Sequence, residues 1–261
     1  MNKKKLALIT GASSGLWKEF AYIHAQNGGD VILVARRLKN LEDIKIDLEK
    51  KYNISAYIIE KDLWEISAGK YIYDEIKKLW LEVDYLINNA GFGGTWNFHE
   101  RELSQDLQMI QLNIMALTEL SGLFIRDFVK KDSGKILNVS STASLIPWPL
   151  QAVYYATKSY VTSFTNAIHQ EVIDTNMWVT ALLPWATATE FGSKSGMDKT
   201  SLFDKTADAR QVALDWYNGM LENKINVISG LTFSQKILLA VSTLLPKKVI
   251  LKMVHNMQKN K

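Results

Sequence analysis

The chain of 261 residues has no cysteine and only four prolines. Without cysteine it has no disulfides, no thiolate nucleophile and no cysteine-ligated zinc, and we predict no metal site. A reducing compartment fits this absence, so we expect a cytoplasmic protein. Glycine is also scarce, at 14 residues, whereas tryptophan is frequent, at eight. That imbalance needs an explanation.

The sequence also has no long hydrophobic run. No apolar stretch reaches the roughly 18 residues of a membrane-spanning helix, and the run at 6–9 is too short for the core of a signal peptide. The net charge of +4 is small and does not favour nucleic acid as a partner. With 47% hydrophobic and 22% charged residues, the composition excludes disordered and fibrous classes.

Short apolar runs alternate with longer stretches of helical periodicity. The runs are typical of buried strands and lie at 6–9, 31–35, 54–59, 83–87, 135–139, 178–183 and 225–228. Such alternation predicts βαβ units and a parallel sheet covered by helices on both faces. We therefore predict an α/β, single-domain, Rossmann-type doubly wound fold with a seven-stranded parallel sheet over residues 1–232.

Residues 233–261 differ in character and are predicted to form a basic, amphipathic helical extension of the same domain. Apolar residues at 249, 250, 253, 254 and 257 fall on one stripe of a helix. The favoured interpretation is a helix that closes the fold or contacts another copy of the chain. Binding to a membrane surface is the less favoured alternative.

The first strand runs into a glycine-containing turn. Thr10 ends the strand, Gly11 and Gly15 flank the turn, and a helix is predicted from about Leu16. This arrangement aims backbone N–H groups and the positive end of a helix dipole at one point, which suits a pyrophosphate. Many strand-to-helix connections need glycine for backbone conformation alone, so the turn by itself does not decide.

The second strand ends in two arginines, Arg36 and Arg37. In a dinucleotide-binding fold, an acidic residue here would accept the ribose 2′-hydroxyl of NAD, whereas arginine accommodates the 2′-phosphate of NADP. NADP(H) is therefore favoured over NAD(H). The alternative is two solvated arginines at the start of a helix.

Residues 154–158 (YYATK) place a phenol and an ammonium one helical turn apart, at Tyr154 and Lys158. A nearby ammonium should lower the pKa of the phenol towards the range of a general acid or base. Tyr155 is also within helical reach of Lys158, so spacing alone does not choose between the two tyrosines. Ser140 and Ser141 follow the fifth strand and could donate a hydrogen bond to a substrate carbonyl.

Two further motifs, Asp62-Leu63 and residues 88–91 (NNAG), follow the third and fourth strands. Buried asparagines need hydrogen-bond partners, and holding neighbouring strands together is as good an explanation as contacting a ligand. Taken together, the motifs resemble the classical short-chain dehydrogenase/reductase family, in its branch related to ketoacyl and hydroxysteroid reductases. The resemblance runs from Lys5 to about Gly230.

The resemblance implies which residues contact the cofactor. They are Gly11, Ser13, Ser14, Gly15, Leu16, Arg36, Arg37, Asp62, Leu63, Asn89, Ala90, Gly91, Tyr154, Lys158, Pro184, Thr187 and Thr189. Residues 183–190 (LPWATATE) match the loop whose threonines meet the nicotinamide carboxamide.

The resemblance also implies the catalytic residues. Asn113 would hold a water for proton relay, Ser141 would polarise the carbonyl, Tyr154 would supply the proton and Lys158 would lower the pKa of the tyrosine. The implied reaction is hydride transfer between NADP(H) and a small-molecule carbonyl, either a hydrophobic ketone or a ketoacyl compound. A homodimer or homotetramer is the expected assembly.

Six of the eight tryptophans stand where this family has glycine: Trp17, Trp80, Trp96, Trp148, Trp185 and Trp216. The indole of Trp17 conflicts with the close helix–strand packing that glycine permits there. Trp185 raises the same objection beside the nicotinamide.

Three explanations compete for these tryptophans. The chain could be a non-catalytic binding or regulatory protein whose cofactor site is blocked by Trp17 and Trp185, or compensating changes could accommodate the indoles. Alternatively, the source organism reads the codon UGA as glycine, which would bring the glycine content closer to the usual value of about 7%. Codons UGG at positions 17, 148 and 185 would exclude this last explanation.

Overall fold

A computed structural model of the chain describes residues 3–12, 16–199, 203, 206–232, 235 and 246–258. Seven parallel strands form one sheet. They are β1 (Leu6–Thr10), β2 (Asp30–Ala35), β3 (Ala56–Glu60), β4 (Tyr85–Asn88), β5 (Gly134–Val139), β6 (Met177–Pro184) and β7 (Asn226–Ser229). The strand order is β3-β2-β1-β4-β5-β6-β7, so the predicted Rossmann-type sheet is confirmed.

Helices connect successive strands. Those described are α1 (Leu16–Gln26), α2 (Leu38–Tyr52), α3 (Ala68–Lys78), α4 (Leu103–Ile110), α5 (Leu117–Lys130), α6 (Ala152–Glu171), α7 (Glu190–Ser195), α8 (Ala209–Leu221) and α9 (Lys247–Gln258). Between α4 and α5 one helical segment, Gln111–Ala116, has π-helical geometry. Such bulges often occur at functional sites.

The sheet is covered on both faces because its strands are apolar on both faces. Alternate residues of a strand point to opposite sides, and β1 accordingly divides its side chains between two separate cores. Ala7 and Ile9 belong to the core that includes Phe20 and Trp216. Leu6 and Leu8 belong to the other, which includes Phe124.

The order of the strands reverses between β1 and β4. The chain builds β1, β2 and β3 outward in one direction and then returns to place β4 on the other side of β1. At such a switch point the connections leave in opposite directions, and a crevice opens beyond the carboxyl ends of the strands. Ligands of doubly wound sheets bind in this crevice.

The C-terminal segment is helical where it is described. Ile250 of α9 is buried in a small core with Trp148 and Tyr155, whereas Val249 is half exposed. The fold-closing interpretation stays a prediction, and the side chains at 253, 254 and 257 lie outside the described part. The boundary at residue 232 stays a prediction. No helix among the described residues is long and apolar enough to cross a membrane.

Candidate active site

A cavity of about 400 Å³ opens at the carboxyl edge of the sheet. Its volume falls within the usual range of small-molecule sites. All of the predicted cofactor residues that the structure describes line it: Gly11, Leu16, Arg36, Arg37, Asp62, Leu63, Asn89, Ala90, Gly91, Tyr154, Lys158, Pro184, Thr187 and Thr189. Ser13, Ser14 and Gly15 lie outside the described residues.

Gly11 occupies a position that only glycine fits without strain. Its φ is +74°, and a Cβ there would lie 2.9 Å from the Cα of Ala90. Thr10 and Asn89 bind the two strand ends together, since the amide of Asn89 donates to the Thr10 carbonyl at 3.2 Å. Backbone is thus exposed at the cavity wall, as a cradle for a pyrophosphate requires.

The two arginines after β2 both reach the cavity. Arg36 lies 3.7 Å from the carboxylate of Asp62, and its guanidinium stacks 4.4 Å above the ring of Trp64. Arg37 lies 3.7 Å from Glu190 at the start of α7. These ion pairs are half exposed, so a ligand phosphate can compete with the carboxylates at modest cost.

Sequence reasoning missed Trp64 as a cavity residue. It lines the cavity with Phe92, and the two rings lie 5.5 Å apart. Asp62 orients the start of this segment by accepting a hydrogen bond from the Trp64 backbone at 3.0 Å. The signal was available, since Trp64 directly follows the Asp62-Leu63 motif at a strand end.

Asn88, the last residue of β4, and Asn89, which follows it, have different roles. The amide of Asn88 donates to Ser121 at 3.0 Å and to Asn138 at 2.9 Å, which joins β4 to β5 inside the core. Asn138 in turn donates to Thr165 of α6 at 3.0 Å. Asn88 is therefore structural, whereas Asn89 faces the cavity.

The two serines after β5 have different hydrogen-bond partners. The hydroxyl of Ser140 donates to the Lys158 carbonyl at 2.8 Å and so anchors α6. The hydroxyl of Ser141 accepts a hydrogen bond from the Ala143 N–H at 3.1 Å and faces the cavity. Both serines line the cavity, but the Ser140 hydroxyl is bonded to α6, so Ser141 is the better placed of the two to contact a ligand.

Both tyrosines line the cavity and both are buried. Tyr154 interacts with the Ser141 side chain, whereas the ring of Tyr155 stacks on Trp148 with centroids 5.1 Å apart. Burial raises the pKa of Tyr154 to about 12, although the hydrogen bond with Ser141 lowers it. The expected lowering of the Tyr154 pKa is therefore wrong, because desolvation disfavours the phenolate.

Lys158 is buried beside Tyr154. Its ammonium donates to the Val139 carbonyl at 2.8 Å and lies 5.9 Å from the centroid of the Tyr154 ring. Burial lowers the pKa of Lys158 to about 8. At neutral pH the side chain thus remains mainly protonated, with a proton that is held far less tightly than in water.

Asn113 lies in the π-helical segment behind these residues and does not line the cavity. Its amide donates to the Phe92 carbonyl at 2.9 Å and to Thr157 at 3.1 Å, and its oxygen accepts from the Phe92 N–H at 3.1 Å. The side chain thus fastens the Phe92 loop to α6. Its expected role in proton relay stays a prediction.

The loop after β6 forms the remaining wall. Thr187 donates to the Trp185 carbonyl at 2.8 Å, and Thr189 caps α7 by accepting from the Phe191 N–H at 3.3 Å. The Pro184 carbonyl accepts a hydrogen bond from Thr142 at 3.1 Å. Trp185 lines the same wall without filling the cavity.

The tryptophans that stand where the family resemblance predicts glycine differ in burial and in backbone conformation. Trp216 is fully buried and stacks on Phe20 at 5.5 Å, and Trp148 is buried against Tyr155. Trp80 by contrast has a φ of +55° and is 92% exposed, a left-handed position that favours glycine. The side chain of Trp17 lies outside the described part. The three explanations of these tryptophans stay predictions. Replacing Trp80 with glycine tests whether glycine suits this left-handed position better.

Comparisons with known proteins agree with this geometry. A family model described as short chain dehydrogenase matches residues 5–200. The chain belongs to this family. Membership of this family makes the protein an oxidoreductase with a nucleotide-cofactor site. The alternative of a non-catalytic protein is not favoured.

Two individual proteins are similar to most of this chain. The chain is 30% identical to the very-long-chain 3-oxoacyl-CoA reductase of Homo sapiens over 97% of its own length and 80% of the relative's. It is 33% identical to the NADP-dependent 3-hydroxy acid dehydrogenase of Schizosaccharomyces pombe, over 72% of this chain and 73% of that protein.

Among solved structures, a short-chain dehydrogenase from Sphingobium yanoikuyae in complex with NADPH matches with a TM-score of 0.82 and 25% identity. The match covers 92% of this chain and 93% of that one. The expected assembly and the cytoplasmic location stay predictions.

Proposed function

We propose that the protein is an NADP(H)-dependent reductase that converts the ketone of a hydrophobic or 3-oxoacyl compound into a secondary alcohol. One observation carries the proposal. Ser141, Tyr154 and Lys158 meet at one end of a cavity whose other end holds Arg36 and Arg37.

The cavity residues fit a nicotinamide dinucleotide. Gly11 gives close access to backbone, the two arginines suit a 2′-phosphate, and Thr187 and Thr189 are candidates for the carboxamide. When bound, reduced nicotinamide supplies a hydride to the carbonyl carbon. The NADPH in the Sphingobium yanoikuyae structure and the NADP dependence of the Schizosaccharomyces pombe relative support this choice.

The chain's own residues handle the carbonyl oxygen. Ser141 donates a hydrogen bond to it, and Tyr154 transfers its phenolic proton as negative charge develops. The ammonium of Lys158, 5.9 Å from the ring, then stabilises the phenolate that remains.

Tyr154 carries the proton that reduction needs. With a pKa of about 12 the resting side chain is a phenol at neutral pH, and an alkoxide is basic enough to take its proton.

The lining near Tyr154 indicates the substrate class. It is apolar and largely aromatic, from Phe92, Tyr155, Phe191, Met197 and Phe203. Such a surface suits an acyl chain or a bulky ketone. Similarity to the human very-long-chain 3-oxoacyl-CoA reductase supports the acyl alternative.

The proposal is tested by following NADPH oxidation with 3-oxoacyl thioesters and hydrophobic ketones. Tyr154→Phe should lower kcat by about 10²–10⁴-fold, because it removes the proton donor. Tyr155→Phe is the matched control: it removes a hydroxyl from the next buried tyrosine and should leave kcat within about threefold, since the proposal gives that hydroxyl no proton to transfer.

Equal rates for Tyr154→Phe and the parent would contradict the proposal. So would a parent enzyme that binds NADPH but reduces none of these carbonyl compounds. Absence of NADPH binding, seen as no change in its fluorescence on titration, would instead favour the blocked-site alternative.

A further inference from the structure

Trp64 lies beside one of the arginines that the proposed function assigns to the 2′-phosphate of NADP(H). The guanidinium carbon of Arg36 lies over the Trp64 ring, 4.4 Å from its centroid. Both residues line the cavity. At this distance the face of an indole attracts a cation more strongly than other aromatic rings do. The ring therefore restrains an arginine whose side chain is 55% exposed.

The contact with Trp64 leaves the hydrogen-bond donors of Arg36 available. Stacking occupies the flat face of a guanidinium, whereas its N–H groups point outward in its plane. The Asp62 carboxylate lies 3.7 Å from Nη1 of Arg36, which is too long for a hydrogen bond. The edge of the guanidinium can therefore bind two oxygens of one phosphate group.

An indole suits this position better than a second acidic side chain would. A carboxylate would hold Arg36 by its charge, but it would also repel an incoming phosphate. The Trp64 ring attracts the cation and carries no net charge. Asp62 already contributes one negative charge at this end of the cavity. The ring thus restrains the arginine without adding to the repulsion of the ligand.

Trp64 is itself held in place from two sides. Its backbone N–H donates to the Asp62 carboxylate at 3.0 Å, and its ring lies 5.5 Å from the ring of Phe92. The backbone of Phe92 is fastened to the Asn113 side chain by hydrogen bonds of 2.9 and 3.1 Å. The long side chain of Arg36 is therefore the partner that gains order from the contact.

We propose that Trp64 is a positioning residue for the 2′-phosphate and that it acts through Arg36. An exposed arginine loses rotamer freedom when it binds a ligand, and this loss weakens binding. Because stacking on Trp64 restricts the guanidinium before the cofactor binds, less freedom is lost on binding. The inference deepens the proposed function and rests on its preference for NADP(H).

The test uses two nucleotides that lack the nicotinamide. Adenosine 2′,5′-bisphosphate carries the 2′-phosphate, and adenosine 5′-monophosphate does not. Isothermal titration calorimetry of the full-length protein measures Kd for each. Trp64→Leu should raise Kd for the bisphosphate about fivefold and change Kd for the monophosphate less than about twofold. Trp64→Phe keeps an aromatic face, so both values should stay within about twofold of the parent's.

A double-mutant cycle with Arg36→Gln shows whether Trp64 acts through the arginine. In the Arg36→Gln background, Trp64→Leu should have no further effect on Kd for the bisphosphate. Thermal melting checks that Trp64→Leu folds, and Trp64→Met takes its place if it does not.

Tyr71→Leu is the matched control, because it removes a ring that contacts a different cation. The ammonium of Lys61 lies over the Tyr71 ring, 4.7 Å from its centroid, and Tyr71 is half exposed and lies outside the cavity lining. Kd for each nucleotide should stay within about twofold of the parent's.

Equal losses for the two nucleotides in Trp64→Leu would overturn the inference, because the ring would then contact the adenosine or only shape the cavity wall. An unchanged Kd for the bisphosphate would also overturn it, as would an equal loss in Tyr71→Leu. The proposed reduction would still be decided separately, by Tyr154→Phe.

A parent that binds the two nucleotides equally would overturn both this inference and the preference for NADP(H). If Trp64→Leu has the expected effect but the parent reduces no carbonyl compound, the proposed reduction fails and this inference stands.

Discussion

The two ends of the main cavity hold their charges in different ways. At the catalytic end, Tyr154 and Lys158 are almost completely buried, and burial shifts both pKa values. At the nucleotide end, the side chains of Arg36 and Asp62 are 55% and 32% exposed, and they pair at 3.7 Å. Desolvation thus governs the pKa values at one end, whereas the ion pair at the other end is exposed enough to exchange with a charged ligand.

The strongest test of the catalytic end is Ser141→Ala. Loss of a hydrogen bond to the developing oxyanion should lower kcat by about 10²–10³-fold with NADPH and a 3-oxoacyl thioester. Ser144→Ala is the control, because the Ser144 hydroxyl lies in the same turn and has no hydrogen-bond partner among the described residues. A similar loss in both variants would show that the turn matters and the Ser141 hydroxyl does not.

Lys158→Met tests how far burial governs this end. Between a folded pKa of about 8 and the ordinary 10.5, the unfolded chain holds more protons at this lysine, so the residue makes stability rise with pH. Relative to the variant, the parent's free energy of unfolding should rise by about 1 kcal/mol per pH unit between pH 8 and pH 10. Urea unfolding at several pH values measures this rise.

A difference between parent and Lys158→Met that stays constant over this range would show that the lysine titrates normally. Lys39→Met serves as the reference, since Lys39 is exposed on α2. Its stability should follow that of the parent at every pH.

The nucleotide end is tested by Arg36→Gln. Loss of a charged contact to the 2′-phosphate should raise KM for NADPH roughly tenfold and leave KM for NADH unchanged. The effect should shrink at high salt, because the site is half exposed. Lys39→Gln removes a neighbouring charge outside the cavity, and equal changes in the two variants would rule out a specific role for Arg36.

The smallest expected effect lies at neither end of the cavity. Trp80 follows α3 with a φ of +55°, so Trp80→Gly should stabilise the protein by about 1 kcal/mol in thermal or urea unfolding. Trp80→Ala removes the same indole but keeps the Cβ, and it should give no such gain. Equal gains in the two variants would attribute the effect to the exposed ring, and UGG codons at 17, 148 and 185 would exclude the codon explanation.

Much of the fold could be predicted from the pattern of apolar residues. Strands that are hydrophobic on both faces must be covered on both faces, so the run at 6–9 already implied a buried parallel strand. The strand end alone could not separate Ser140 from Ser141, because both follow the same strand, and it was the family resemblance that selected Ser141. Which hydroxyl turns towards α6 depends on how that helix packs, and α6 is brought there by residues more than ten positions away.

Gln151 shows the same limit. In the sequence it is one polar residue beside a proline-containing loop, and nothing nearby marks it as buried. The structure encloses it between α4, α6 and the Trp96 loop, which are far apart in the chain. Its buried carboxamide has no hydrogen-bond partner among the described residues, a feature that becomes visible only after the chain has folded.

The sequence by itself determined which segments form strands, where the glycine turn lies and how Ser141, Tyr154 and Lys158 are spaced. These features depend on local spacing and on which residues are apolar. The tertiary structure alone decided that Tyr154 has a raised pKa and Lys158 a lowered one. The physical reason is that desolvation depends on everything that surrounds a group in three dimensions, and most of those neighbours are distant in the chain.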